Sequence, residues 1–214
     1  MTKKEFVDML SKHEDLKESL FIRGFLVTDK KIEKLDEFPF YGNWKTEKHN
    51  GFYFMSHYLT GMHVYEKDEN HTFFILGHAY NPFTMEYEEE KILSYLAEAY
   101  GTEVYFDRIN ELTGVFVYGA IIDGKIYFLV DPSGMQSACY SMVGGHFYLS
   151  SHAQLIGDLC DLKMSAFVKE MISYKWYRRV MGAYLPADLT PFDEVKRIVP
   201  SILYSYKDKV QHKR

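Results

Sequence analysis

Apolar runs separated by turn residues dominate the stretch from Leu112 to Ser151. Val, Ile, Phe and Tyr fill the runs, and Asp-Gly and Gly-Gly pairs between them supply the positive φ that tight hairpin turns require. The pattern predicts four consecutive antiparallel strands, at 114–122, 125–130, 136–143 and 146–150. The run VFVYGAII has no polar face, so we expect it to lie inside a sheet that is covered on both sides.

The rest of the chain alternates between strand-like and helix-like segments. Helical spacing of apolar residues, with a Thr2–Glu5 capping box, predicts a helix at 3–17. Acids in the first turn and Gly101 after the end predict another helix at 86–100. Further helices are predicted at 152–160 and 164–180, and further strands at 20–28, 38–45, 51–58, 62–67, 71–81 and 202–206. This order favours two sheets covered by helices.

Composition narrows the class of protein. With 214 residues and 47% hydrophobic residues, the chain is long and apolar enough for one well-packed domain. The net charge of −5 argues against a nucleic-acid partner, and no apolar run approaches the ~20 residues of a membrane span. Two cysteines give no disulfide framework and fit a reducing compartment, so we expect a cytoplasmic protein.

Several landmarks occur in a fixed order along the strand-rich stretch. They are Leu112, Gly114, Phe116, Asp131, Gly134, Tyr140, Phe147, Ser150 and Ser151. Before them stands FFILGHAYN, and after them PFDEVKRIVPSILYSY. This order resembles the N-terminal domain of glutamine-dependent asparagine synthetases, which are class II glutamine amidotransferases. That family shows N-G-E-I-Y-N, then L-x-G-x-F-x-F, A-R-D-R-x-G, F-x-S-E and finally F-x-x-V-x-R-L-x-P-G-x-x-L.

The resemblance implies a fold and a domain organisation. The fold is the four-layer αββα sandwich of N-terminal-nucleophile hydrolases, an α+β class with two antiparallel sheets. We therefore expect a helical extension at 1–19 and a single class II glutaminase-like domain at 20–210. The ATP-dependent synthetase domain of the family is expected to be absent from this chain.

The resemblance also implies where glutamine hydrolysis would occur. In the family, an N-terminal cysteine attacks the amide and hydrogen-bond donors stabilise the oxyanion. The nucleophile position falls near Leu20 and the oxyanion asparagine at Leu76, and neither leucine can supply that chemistry. We therefore expect no catalytic residue at these degenerate positions. The former glutamine pocket would be formed by Gly77, His78, Tyr80 and Asn81.

Thr2 and Cys139 are the alternative candidates for a nucleophile. Thr2 would become an N-terminal nucleophile if Met1 were removed, but its hydroxyl already suits the capping box. Cys139 lies in a predicted strand, where a free cysteine usually acts as a small apolar residue. A Cys139–His152 dyad has no support beyond the presence of both residues.

Polar clusters elsewhere have simpler explanations. His57 and His63 are symmetric about Thr60 and would face each other across a hairpin, yet the spacing indicates no third metal ligand. Glu86, Glu88, Glu89 and Glu90 open a predicted helix and suit its dipole. The segment 133–137 has one glycine where a pyrophosphate loop needs two, a Gln in place of the Asp, and no following helix. We therefore predict neither a metal nor a cofactor.

The sequence thus favours a catalytically degenerate glutaminase-like domain. Its expected role is that of scaffold or partner for an ATP-dependent amide-forming ligase, which would be a synthetase domain or subunit. Two alternatives stay open: an active amidotransferase with an atypical nucleophile, and a small-molecule-binding module in the former glutamine pocket. Association with further copies of the chain also stays open.

Overall fold

The computed structural model describes residues 3–182, 184–206 and 211–213. They form two six-stranded antiparallel sheets accompanied by helices, which confirms the predicted α+β class with two antiparallel sheets. The chain divides into two compact units. The first unit comprises Met1–Glu47, Tyr53–Leu59 and Ala138–Arg197, and the second comprises Lys48–Phe52, Thr60–Ser137 and Ile198–Arg214.

The described residues contain twelve strands and seven helices. The strands are β1 Phe25–Thr28, β2 Trp44–His49, β3 Phe52–His57, β4 Met62–Asp68, β5 His71–Tyr80, β6 Thr113–Ile122, β7 Lys125–Val130, β8 Cys139–Val143, β9 His146–Ser150, β10 Val195–Arg197, β11 Ile202–Ser205 and β12 Gln211–Lys213. The helices are α1 Lys3–Leu10, α2 Glu14–Glu18, α3 Glu89–Ala99, α4 Tyr105–Asn110, α5 Ala153–Leu159, α6 Ala166–Ser173 and α7 Lys175–Met181. Among these described helices, none combines the length and the apolar character that crossing a membrane requires.

The first unit holds the sheet with strand order β10-β8-β9-β1-β3-β2. On one face, Leu26 of β1 lies in an apolar cluster with Leu155 and Ile156 of α5. The neighbouring positions Phe25 and Val27 point to the opposite face because side chains alternate along a strand. Both are also buried, so β1 presents no polar face to solvent.

The N-terminal helices α1 and α2 belong to the first unit. The prediction of one continuous helix at 3–17 is wrong, because α1 ends at Leu10 and α2 begins only at Glu14. The Ser11 hydroxyl donates to the Asp8 carbonyl at 2.7 Å, which competes with the helical hydrogen bonds at the break. Lys3 Nζ lies 2.9 Å from Asp161 Oδ1, and Leu10 is buried, so α1 is anchored by charge and by packing.

The second unit holds the sheet with strand order β12-β11-β7-β6-β5-β4. β6 is an interior strand that pairs with β5 over ten residues and with β7 on its other side, as the sequence predicts. Its side chains at Phe116 and Tyr118 join the cluster that α3 covers. Val117 and Ile121, on the opposite face, are fully buried. The continuous apolar run therefore reflects a strand that is covered on both faces.

Three predicted strands begin too early. The strand predicted at 20–28 begins at Phe25, because Phe21 and Arg23 adopt positive φ in a turn. The strand predicted at 38–45 begins only at Trp44, since Tyr41 and Gly42 also have positive φ. The strand predicted at 136–143 begins at Cys139. Non-glycine residues seldom adopt a φ above zero within a β-ladder, so β1 and β2 begin after these turns.

Further corrections concern helices and pairing. The helix predicted at 86–100 begins at Glu89, because Glu86 pairs with Asn81 through two backbone hydrogen bonds. The helix predicted at 164–180 is two helices, α6 and α7, separated by an extended Tyr174. The four consecutive strands form two hairpins, β6–β7 and β8–β9, in different sheets. The sequence patterns missed α4, β10 and β12.

Candidate functional site

The end of β5 carries the residues that the sequence assigns to the former glutamine pocket. Leu76 is fully buried and pairs with Met62 of β4 and Val117 of β6. At Gly77 the backbone turns to φ +108, and a Cβ there would lie 2.3 Å from the Val115 carbonyl oxygen. Only glycine fits that position without displacing β6. Gly77 therefore allows the last part of β5 to adopt this backbone conformation.

A cluster of two imidazoles and one carboxylate lies beside Gly77. His63 comes from β4, His78 from β5 and Glu89 from the first turn of α3. His78 Nδ1 lies 3.2 Å from Glu89 Oε1, and His63 Nε2 lies 3.7 Å from Glu89 Oε2. The Glu89 side chain is only 12% exposed, whereas that of His78 is 77% exposed. A shielded carboxylate therefore faces two histidines near the surface.

Glycine at position 61 allows the two imidazoles to converge. The Gly77 amide donates to the Gly61 carbonyl at 2.8 Å, which holds the start of β4 against the end of β5. A Cβ at Gly61 would lie 3.1 Å from His78 Cε1 and 3.2 Å from His63 Nε2. Both rings thus lie next to the same glycine.

Asn81 and Tyr80, the other predicted pocket residues, make contacts within the protein. The Asn81 side chain is buried; its oxygen accepts from the amides of Phe83 and Thr84, and its nitrogen donates to Glu111 at 3.0 Å. Tyr80 donates to Met85 Sδ at 3.1 Å. Asn81 therefore closes the loop between β5 and α3. The role of Gly77, His78, Tyr80 and Asn81 in a glutamine pocket stays a prediction.

Leu20, the predicted nucleophile position, lies in a turn before β1. Its amide donates to the Lys17 carbonyl at 3.2 Å, and its half-buried side chain packs against the apolar cluster of the first unit. Gly24 ends this turn by donating its amide to the Phe21 carbonyl at 2.8 Å. An apolar side chain and a peptide nitrogen that already donates leave no nucleophile or base at this position. Thr2, the outside candidate, lies outside the described residues.

The two thiols are in surroundings that suppress reactivity. Cys139 Sγ is buried in β8 and donates to the Ser150 carbonyl at 3.2 Å. Burial raises the pKa of the Cys139 thiol and also that of Cys160. His152 Nδ1 contacts Ser151 Oγ at 2.8 Å, so the members of the conceivable dyad engage other groups. The thiolate is the nucleophilic form, and a raised pKa keeps these cysteines in the thiol form.

The connector after β7 is closed by its own carboxylate. Asp131 is fully buried, Oδ1 accepts from the amides of Ser133 and Met135, and Oδ2 accepts from the amide of Gln136 at 2.8 Å. These amides are therefore already satisfied and cannot cradle a phosphate. The absence of a nucleotide site at 133–137 stays a prediction.

A cavity of about 670 Å³ lies in the second unit between α4 and the sheet. Most of its wall is apolar, including Ile109 and Leu129, with polar contributions from tyrosines. The hydroxyls of Tyr105 and Tyr118 contact each other at 2.7 Å, and burial raises the pKa of both phenols. The volume is within the range of small-molecule sites. No sequence pattern indicates this cavity, because it arises from the packing of α4, which the patterns missed.

The prediction that a hairpin places His57 opposite His63 is wrong. β3, which ends at His57, belongs to one sheet, and β4, which contains His63, belongs to the other. The partners of His63 are instead His78 and Glu89. The helix pattern indicated only a dipole role for Glu89. The alternation pattern of β4 and β5 could have placed both histidines near one sheet end, but it carries no information about Glu89.

Comparisons with known proteins find similarity among solved structures. No protein-family model matches the chain, and no curated protein matches it. Among solved structures, it is similar to an allosteric regulatory enzyme of purine biosynthesis at 12% identity over 92% of this chain, with a TM-score of 0.46. It is also similar to glutamine phosphoribosylpyrophosphate amidotransferase from B. subtilis, at 10% identity over 93% of this chain and a TM-score of 0.44. The chain spans 44% of the length of each.

Proposed function

We propose that the chain is a glutaminase-like domain without glutamine hydrolysis, serving as scaffold or partner for an ATP-dependent amide-forming ligase. The observation that carries the proposal is the apolar character of the two positions assigned to the chemistry. Leu76 is fully buried within the sheet, and Leu20 packs in a turn. Loss of one oxyanion donor alone typically costs about 2.7–4 kcal/mol of transition-state stabilisation.

The state of the thiols supports the same proposal. An atypical amidotransferase would require another nucleophile, and Cys139 is the candidate within the described residues. Its raised pKa and its hydrogen bond to the Ser150 carbonyl oppose formation of the thiolate.

An exposed apolar surface supports the partner role. It lies on α6, on α7 and just after them, and its members are Phe167, Tyr174, Trp176, Val180 and Tyr184, each more than 60% exposed. Exposed aromatic side chains in such number mark surfaces that partners cover. The basic Arg178 and Arg179 on α7 would favour an acidic rim on the partner.

Small-molecule binding is a second candidate function. The observation that favours it is the cavity of about 670 Å³ with a largely apolar wall and the Tyr105–Tyr118 hydroxyl pair. Such a cavity suits a ligand with an apolar body and one hydrogen-bonding group.

One experiment tests the proposal. Purified protein is incubated with millimolar glutamine, and ammonia release is measured beside an active glutaminase. We expect release no faster than in buffer, because neither leucine can attack or stabilise the amide. Steady turnover that Thr2→Ala or Cys139→Ala abolishes would refute the proposal and identify the nucleophile.

Thermal unfolding of the same samples distinguishes the binding function from the scaffold role. A ligand that binds the folded state raises the melting temperature by mass action. If glutamine or another amide raises it without turnover, binding is retained. Loss of the shift in His78→Ala would assign it to the β5 end. Loss in Leu203→Trp, which reduces the cavity volume, would assign it to the cavity.

A further inference from the structure

We propose that His63, His78 and Glu89 form a binding site for a divalent transition metal, with zinc as the best-suited ion. One ligand atom from each residue, two imidazole nitrogens and one carboxylate oxygen, lies within 4.8 Å of the other two. Three different elements, β4, β5 and α3, bring these atoms together. The inference does not depend on the proposed function, because it concerns only the geometry and chemistry of these three side chains.

The donor set matches zinc. Histidine nitrogen and carboxylate oxygen bind Zn²⁺ at about 2.0–2.2 Å, and a set of two histidines and one glutamate is found in zinc enzymes. Two ligands of one tetrahedral ion at such bond lengths lie roughly 3.3 Å apart. His78 Nδ1 lies 3.2 Å from Glu89 Oε1 and His63 Nε2 lies 3.7 Å from Glu89 Oε2, so each histidine is close to that value from one of the two carboxylate oxygens. Small side-chain rotations would therefore suffice to complete the coordination.

His63 supplies an independent observation. Its Nε2 atom is buried and has no hydrogen-bond partner among the described residues. A buried polar nitrogen without a partner is energetically unfavourable, so natural structures rarely leave one without a reason. Coordination through the Nε2 lone pair would satisfy this atom. The nearest carboxylate oxygen, on Glu89, lies at 3.7 Å, which is beyond hydrogen-bond distance.

The protein prepares this site through its backbone. Gly61 and Gly77 hold β4 and β5 together by a 2.8 Å hydrogen bond, and the absence of a Cβ at Gly61 leaves room beside both rings. Glu89 is shielded from solvent and is the first residue of α3. The helix therefore fixes the backbone position from which its side chain extends. With three protein ligands, a tetrahedral ion keeps a fourth position for water or for a donor atom of a small ligand.

Metal binding can be measured on the full chain. The protein is freed of metal with a chelator, equilibrated with zinc chloride, and its zinc content is determined by elemental analysis after dialysis. We expect one zinc per chain and a higher melting temperature with zinc. Cobalt(II) in the same site is expected to show the visible absorption of tetrahedral coordination.

Variants identify the ligands. His78→Gln changes a largely exposed side chain, so the protein is expected to fold, and zinc affinity should fall by more than ~100-fold, since loss of even an outer-shell partner costs 10–100-fold. His63→Gln and Glu89→Gln should act likewise. The matched control is His71→Gln. His71 also contacts a carboxylate, Asp68 at 2.7 Å, in the same sheet, and lies outside the proposed ligand set.

The alternative is that the cluster is held by protonated histidines paired with Glu89. In that case no zinc would be retained, and zinc would leave the melting temperature unchanged. Equal zinc retention in wild type and His78→Gln would also overturn the proposal, as would equal loss in His71→Gln.

Discussion

His57 of the first unit and the His63–His78 pair of the second unit have opposite surroundings. In the first unit, His57 is fully buried, its Nδ1 accepts from the Leu59 amide at 3.2 Å, and its Nε2 lies 3.4 Å from the Glu18 carbonyl. In the second unit, His63 Nε2 has no hydrogen-bond partner, and His78 is exposed beside Glu89. His57 joins backbone segments of the first unit, whereas His63 and His78 of the second unit converge on one carboxylate.

This difference separates structural from binding histidines. Both nitrogens of His57 face backbone groups, so its removal would leave buried polar groups without partners. His78 is 77% exposed and contributes one contact to a shielded carboxylate, so its removal would change a site more than it would change stability. The residue type is the same, and the number of satisfied hydrogen bonds decides the role.

The largest expected effect concerns the backbone of the second unit's cluster. Gly77→Ala should destabilise the protein by about 3 kcal/mol or more, because the left-handed backbone strain adds to overpacking against the Val115 carbonyl. Urea unfolding at equilibrium measures the loss. Gly51→Ala is the matched control: Gly51 has φ +83 but no heavy atom near its Cβ position, so about 1–2 kcal/mol is expected. Equal losses would contradict the close approach at Gly77.

The next effect sets one histidine against another. His57→Ala should lower the free energy of unfolding by about 2–4 kcal/mol, since it creates a cavity and leaves the Leu59 amide without its acceptor. His78→Ala should change it by no more than about 0.5 kcal/mol. Both are measured by urea unfolding in the absence of metal. If His78→Ala proved as costly as His57→Ala, the distinction between structural and binding histidines would fail.

Much of the fold could be predicted, because local patterns of apolar and turn residues determine many of its strands and helices. The apolar run at β6 has no polar face, and from Phe116 to Ile122 its residues are buried on both faces of the sheet. Strand starts were predicted poorly before β1 and β2. At Phe21, Arg23 and Tyr41, non-glycine residues adopt positive φ, and residue type alone gives no sign of that.

The candidate site was predictable only in part. Leu76, Gly77 and His78 were singled out by the order of landmarks along the chain. The grouping of His63 with Glu89 depends on the pairing of β4 with β5 and on the exact residue at which α3 begins. That start is set by the Asn81–Glu86 backbone pairing, which is not visible in helical periodicity.

The smallest expected effect is the pH dependence of stability that His57 and His152 of the first unit contribute. Burial lowers the pKa of His57 and of His152 below the ordinary value of 6.5 in the folded protein. Between the lowered pKa and 6.5, the unfolded chain binds more protons than the folded one. Stability is therefore complete above about pH 6.5 and is lost as the pH falls from there through the folded-state pKa.

His152→Asn isolates this contribution. Asparagine can place a polar atom near Ser151 Oγ where His152 Nδ1 now lies, but it does not titrate. The free energy of unfolding of wild type and variant is measured by urea at about pH 7.5 and about pH 5, so that contributions from carboxylates cancel in the difference. Wild type should lose more stability than the variant on acidification, because only its residue 152 must take up a proton on unfolding. An equal loss in both would mean that His152 does not titrate differently in the folded state. The contrast between the two units would then rest on hydrogen bonding at His57 alone.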